Sequence, residues 1–144
     1  MSMLFDGAGV LPYVVTEDSK IKVLLGKRAV KREYGKWSVF GGKKESGETY
    51  VAAAARELRE EAGIAASHGE LVPLYKACVP FLFEYDIFSL DLKSIDVKVS
   101  LNWETSEYRW FDIDEAISLG DQLASYAQAE LIELKKKRLC PKAD

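Results

Sequence analysis

Residues Thr49 to Ala62 constrain this chain more than any other stretch, because they can satisfy only one secondary structure. Val51, Ala55, Leu58 and Ala62 recur at steps of four, three and four, which places them on one stripe of an α-helix. Ser46 is a suitable N-cap before it, and Gly63 stands where a glycine ends a helix. Glu57, Glu60 and Glu61 follow the spacing i, i+3, i+4 and fall within an arc of about 100° on the side away from the apolar stripe. Like charges at this spacing repel. A hard divalent cation removes that repulsion, and magnesium takes a few carboxylates, keeps several waters and then accepts phosphate oxygens. The same glutamates, taken alone, read better as a solvated acidic face partly neutralised by Arg56 and Arg59.

Around the helix the chain alternates short strand-like runs with turns. Gly7 to Val15 and Ile21 to Leu25 form an expected hairpin across Glu17–Lys20. A basic loop from Ala29 to Lys36 leads to a short strand, Trp37 to Phe40, that runs into Gly41-Gly42. Leu71 to Phe88 holds two strands, Val97 to Leu101 another, and Tyr108 to Phe111 a last one. Asp112 to Glu115 resembles a capping box. A final helix from about Asp121 to Arg138 turns Leu123, Ala127, Leu131 and Leu134 inward.

With 144 residues, 48% of them apolar, and no repeat or linker, the chain is expected to form one domain over residues 1–144. The net charge of −3 offers no general attraction to nucleic acid or an anionic membrane. Lys135 to Arg138 reads as cations favouring a helix C-terminus. Met1 to Val10 lacks a basic start and apolar stretch, so a cytoplasmic location is expected. The one histidine, His68 beside Gly69, excludes HExxH chemistry and reads as a solvated loop residue. The cysteines, Cys78 and Cys140, are expected to be reduced, one in the core and one near a tail.

The stretch Gly42-x5-Glu48-x7-Arg56-Glu57-Leu58-Arg59-Glu60-Glu61-Ala62-Gly63-Ile64 resembles the Nudix box, Gly-x5-Glu-x7-Arg-Glu-U-x-Glu-Glu-x-Gly-U, with U a bulky aliphatic residue. Every fixed position matches. Seven fixed residue types at about 6% each arise by chance on the order of 10⁻⁹ per window.

The resemblance implies an α/β fold, a mixed sheet sandwiched between helices (an α/β/α sandwich), with the box as loop–helix–loop. It implies a magnesium-dependent hydrolase, with manganese as a substitute, that cleaves a nucleoside diphosphate linked to another group. Glu57 and Glu61 would be the main metal ligands, with Glu60 and the carbonyl of Gly41 beside them. Glu48 and Arg56 would brace the loop, and Gly42 and Gly63 would shape the backbone. The base for the attacking water would come from Glu104, Glu107 or Glu60. Arg28, Phe40 and Lys43 are candidate substrate contacts, with Tyr34, Trp37, Phe81 and Phe83 as further rings that could stack on a base.

Many members carry proline before the Gly-Gly pair, where this chain has Phe40. Pro80, sixteen residues beyond Ile64, resembles a marker of relatives that cleave ADP-ribose and nucleotide sugars. Nucleoside triphosphates and dinucleoside polyphosphates are alternative substrates. A nucleotide-binding domain without catalysis and an isomerase of the same fold are the alternatives of another class. Dimers are common in the family.

Overall fold

The structure, a computed structural model, describes residues 5–139. Seven strands form one sheet, with β1 (Phe5–Val15) at its centre. The others are β2 (Ile21–Arg28), β3 (Trp37–Ser38), β4 (Phe40–Lys43), β5 (Val72–Val79), β6 (Phe83–Asp91) and β7 (Thr105–Asp112). β1 runs parallel to β6, and every other pairing is antiparallel. The sheet is therefore mixed.

Side chains alternate between two apolar layers, as the period of a strand requires. Leu11, Tyr13, Ile21, Val23, Leu25 and Ile87 pack against α2 (Ile113–Ile117) and α3 (Ala127–Leu139). Ala8, Val10, Leu24, Phe88 and Leu90 pack against α1 (Tyr50–Ala62) on the opposite face. β1 is buried on both faces, so its apolar run is nearly continuous.

β1 changes partner halfway along. Its residues 7–10 pair with β4 and residues 13–15 pair with β2, leaving Leu11 and Pro12 paired only with β6. Pro12, which has no N–H to offer, occupies this gap, where one side needs no ladder bond. The chain crosses from β2 to β1 at Val39, between β3 and β4. A split thus opens between the β2–β3–β7 leaf and the β1–β4 leaf.

Several expectations need correction. The single strand Trp37–Phe40 is two strands with different partners. Val97–Leu101 is not a strand: Ser100 donates to the carbonyl of Ala62 (2.9 Å), and Val99 and Leu101 cover the α1 layer. These residues close the exposed end of a helix, which a strand could not also do.

Helix α1 is capped by Thr49, not Ser46: the Thr49 hydroxyl accepts from Ala52 N–H at 3.1 Å. Asp112 precedes α2 but makes no capping bond. The last helix starts at Ala127, after a 3₁₀ turn at Gly120–Gln122; Leu123, Ala127, Leu131 and Leu134 are all buried. Cys78 is exposed on the edge strand β5, and Cys140 lies outside the described residues.

Lys135 pairs with Asp114 (2.5 Å), Lys137 donates to the carbonyl of Pro73 (3.1 Å) and Arg138 lies over the Tyr13 ring. The basic run ties α3 to its surroundings. Among the described residues no helix is long and apolar enough to cross a membrane.

Candidate active site

The site lies where α1 meets β4. The buried stripe of α1 is Ala53, Ala54, Leu58 and Ala62, flanked by Glu57 and Glu61, whereas Val51 and Ala55 are half-buried. The helix is rotated from the orientation its apolar spacing suggests. Glu57 and Glu61 therefore do not face solvent: they are 7% and 6% exposed. The small residues at 53 and 54 let the helix approach the sheet, and glycine on β4 leaves room for the carboxylates. A Cβ on Gly42 would stand 2.8 Å from the carboxylate of Glu57. Gly41 N–H donates to Glu61 Oε1 at 2.9 Å.

Arg56 brings the loop and helix together. Its Nε and Nη2 grip the two oxygens of Glu48 at 2.8 and 2.9 Å, and Nη2 also donates to the carbonyl of Lys43 at 3.0 Å. Glu48 additionally accepts from Glu45 N–H (2.8 Å). The Arg56 guanidinium, before any other influence, lowers the Glu48 carboxyl to about 2. The remaining nitrogen, Nη1, donates to Glu57 (3.1 Å) and to Glu60 (3.0 Å). Glu60 is thus exposed and turned toward Arg56, apart from the buried pair.

Electrostatics mark the corner. Burial, followed by the charges of Glu57 and Glu104, raises the Glu61 carboxyl to about 8; the Gly41 N–H and Arg28 oppose this. Burial also raises Glu57, with Arg56 opposing it and Glu60 and Glu104 adding to it. Glu104 therefore comes near the pair from the loop before β7. Its backbone carbonyl accepts from Ala29 N–H (2.9 Å), which fixes that loop to the end of β2. Glu107 is exposed and pairs with Lys27 (3.8 Å).

These residues suit a hard cation. Two buried carboxylates with a third nearby supply oxygen donors and too little positive charge. Among the described residues no three acidic, His or Cys side chains close on one point. An open set of this kind matches an ion that keeps several waters better than one needing a full protein cage.

The candidate substrate contacts separate. Arg28 ends β2 within electrostatic reach of Glu61, and its Nε donates to the carbonyl of Arg32 (2.9 Å). Lys43 is exposed at the end of β4. Phe40 is 1% exposed and belongs to the core beneath α1, so it offers no ring to a ligand. It fills the space under α1. Trp37 is also core, and Tyr34 and Phe81 are exposed. Pro80 lies in the turn between β5 and β6.

Two polar side chains escape the sequence reading: Tyr85, whose hydroxyl lies against Gly41, and Glu130, buried on α3. Glu130 shares a helix face with Ala127, Leu131 and Leu134, so an acid within an apolar stripe was the available signal.

The model of the NUDIX domain family matches residues 5–134. An oxidized purine nucleoside triphosphate hydrolase from Mus musculus is 31% identical over 121 residues, covering 83% of this chain and 76% of that protein. One from Danio rerio is 35% identical over 96 residues, 65% of this chain; the match spans 60% of the fish protein's length. Among solved structures, a NUDIX hydrolase from Nitrosomonas europaea superimposes with a TM-score of 0.76 at 28% identity, covering 99% of this chain and 76% of that one. The NUDIX domain of Shewanella oneidensis NrtR, complexed with ADP ribose, has a TM-score of 0.78 at 12% identity, covering 95% and 90%. That second likeness concerns the fold alone.

Proposed function

Since the chain belongs to the Nudix hydrolase family, we propose that it is a magnesium-dependent hydrolase of nucleotide phosphoanhydride bonds, acting on purine nucleoside triphosphates. The observation that carries this reading is the buried pair Glu57 and Glu61 held against Gly41 and Gly42, with Glu104 close by. The substrate class is supported by two relatives, each named an oxidized purine nucleoside triphosphate hydrolase.

Glu57, Glu61 and the carbonyl of Gly41 would hold the cation. A bound magnesium ion neutralises charge on phosphate oxygens and lowers the pKa of a bound water. Arg28 orients the phosphates from the end of β2. Water attacks one phosphorus, the P–O bond to the bridging oxygen breaks, and that oxygen leaves with the other phosphate. Glu104 takes the proton from the water. It is favoured over Glu60, which is bound to Arg56, and over Glu107, which is bound to Lys27. Arg56 and Glu48 hold the loop and touch no substrate.

The test is a screen of purine nucleoside triphosphates, dinucleoside polyphosphates and ADP-ribose with Mg²⁺, with the products separated and identified. The purine triphosphates are expected to be cleaved, and a chelator to stop the reaction. Turnover that survives removal of every divalent ion contradicts the metal reading. Cleavage confined to ADP-ribose contradicts the substrate.

A further inference from the structure

Among the described residues, five that carry a Cβ hold the left-handed backbone conformation: Ser19, Glu33, Phe81, Lys93 and Tyr126. Ser19, Phe81 and Lys93 lie in the turns that follow β1, β5 and β6, an ordinary setting. Glu33 (φ 54) and Tyr126 (φ 69) lie in longer connections, and one contact joins their segments. Glu33 Oε1 accepts from the N–H of Ser125 at 2.8 Å and from its hydroxyl at 2.6 Å, across 92 residues of chain. Left-handed backbone is costly for such residues and persists where surrounding contacts impose it. A carboxylate that accepts from two donors is strongly held, and this one stands just before α3, where the helix dipole favours negative charge.

The turn that carries Glu33 joins β2 to β3, and its two ends are tied down without it. Ala29 N–H donates to the carbonyl of Glu104 (2.9 Å), and Ala124 N–H donates to the carbonyl of Trp37 (2.9 Å). Lys36 Nζ donates to the carbonyl of Asp121. Within the turn, Gly35 N–H donates to the Arg28 carbonyl (2.8 Å) and Lys36 N–H to the Glu33 carbonyl (3.2 Å). Glu33 anchors the tip. The carbonyl of the peptide before it, that of Arg32, accepts from Arg28 Nε at 2.9 Å. Arg32 itself lies over the Phe5 ring, its guanidinium carbon 5.8 Å from the ring centre. The arginine that orients the phosphates is thus held by the peptide next to the Ser125 bond.

We propose that Glu33 is a positioning residue for Arg28: by binding Ser125 it fixes the Arg32–Glu33 peptide, whose carbonyl in turn fixes the direction of the Arg28 guanidinium. Glu33 touches no phosphate itself. A guanidinium free to swing loses rotamer freedom each time a phosphate binds, and one already held by a carbonyl loses less. The Nε bond to Arg32 leaves both terminal nitrogens of Arg28 to meet phosphate oxygens. This inference rests on the nucleotide reading above and adds the residue that prepares its phosphate contact.

The experiment has two arms on the full chain. In the first, NMR of the metal-free protein follows hydrogen exchange at the Gly35 and Lys36 amides and at Arg28 Nε–H. Glu33→Ala is expected to speed all three at least about tenfold, and Glu33→Gln, which keeps an acceptor oxygen, by less than about threefold. In the second arm, GTP and ATP are hydrolysed with Mg²⁺. Glu33→Ala should lower kcat/KM about tenfold, mostly by raising KM, while Glu33→Gln stays within about threefold of the wild type. In an Arg28→Ala background the same Glu33→Ala change should cost less than about twofold, because its effect passes through that arginine. A merely structural tether gives equal losses in both backgrounds, and that result overturns the proposal. So does unchanged exchange at Arg28 Nε–H in Glu33→Ala. Exchange that quickens as expected in a protein that hydrolyses neither nucleotide supports Glu33 as the holder of Arg28 and sinks the hydrolase reading instead.

Discussion

Glu61 sits under opposed forces. Its burial and the charges of Glu57 and Glu104 favour the neutral acid, while the Gly41 N–H and Arg28 favour the carboxylate. Glu104 borders the same corner without sharing that burial. If it accepts the proton of the attacking water, Glu104→Gln should lower kcat by on the order of 10² to 10⁴ and flatten the acidic limb of the pH–rate profile. An unchanged rate and profile makes it a surface residue. Spacing alone shows that Glu57 and Glu61 share a helix face with Glu60 nearby. It does not show which way the helix is turned. Burial of the two acids follows from Ala53 and Ala54 seating the helix on β1, which is a property of the packed pair. Glu130 and Tyr85 were harder to see, because each stands within an apolar pattern.

Helix α1 was readable because local chemistry sets most of it. Its apolar spacing and its glycine stop need no partner to be recognised. Gly63 has φ +70, and its N–H donates to the carbonyl of Arg59. A Cβ there would also stand 3.0 Å from that of Ser100. Gly63→Ala should therefore cost about 1–3 kcal/mol, from backbone strain and displacement of the loop that closes the helix. Chemical denaturation measures this; an unchanged midpoint would mean that the cap and the loop contact contribute nothing. The helix start was harder to place, because Ser46 and Thr49 are both able caps and only the fold selects Thr49. Residues 97–101 carry strand-like alternation but pack on α1 instead, with Ser100 bonded to the end of that helix.

At the scale of the molecule, the change of partner along β1 brings β4 against α1 and opens the sheet beside the acidic corner. No local pattern announces this, since it depends on which strands meet. The concentration of acids there has a consequence for stability. Glu61 rises from an ordinary 4.5 to about 8 in the folded protein, so between those values the folded state holds a proton that the unfolded state has lost. Stability must then fall as pH rises from about 4.5 to about 8. Glu48, lowered to about 2, acts in the other direction and lower: its contribution is present above 4.5 and lost as pH falls toward 2. The two windows do not overlap. A cation bound by Glu57 and Glu61 replaces the proton and stabilises the folded state, most strongly where the proton is lost. The measurement that tests this centre most directly is the melting temperature at pH 5 and pH 8, with and without Mg²⁺, for the wild type, Glu57→Gln and Glu61→Gln. The metal-free wild type should melt lower at pH 8 than at pH 5, and Mg²⁺ should restore most of the difference. Glu61→Gln should lose most of that pH dependence, and both variants should lose the response to Mg²⁺. A wild type indifferent to Mg²⁺ at both pH values, or variants that respond as it does, would contradict the assignment of this corner as the metal site.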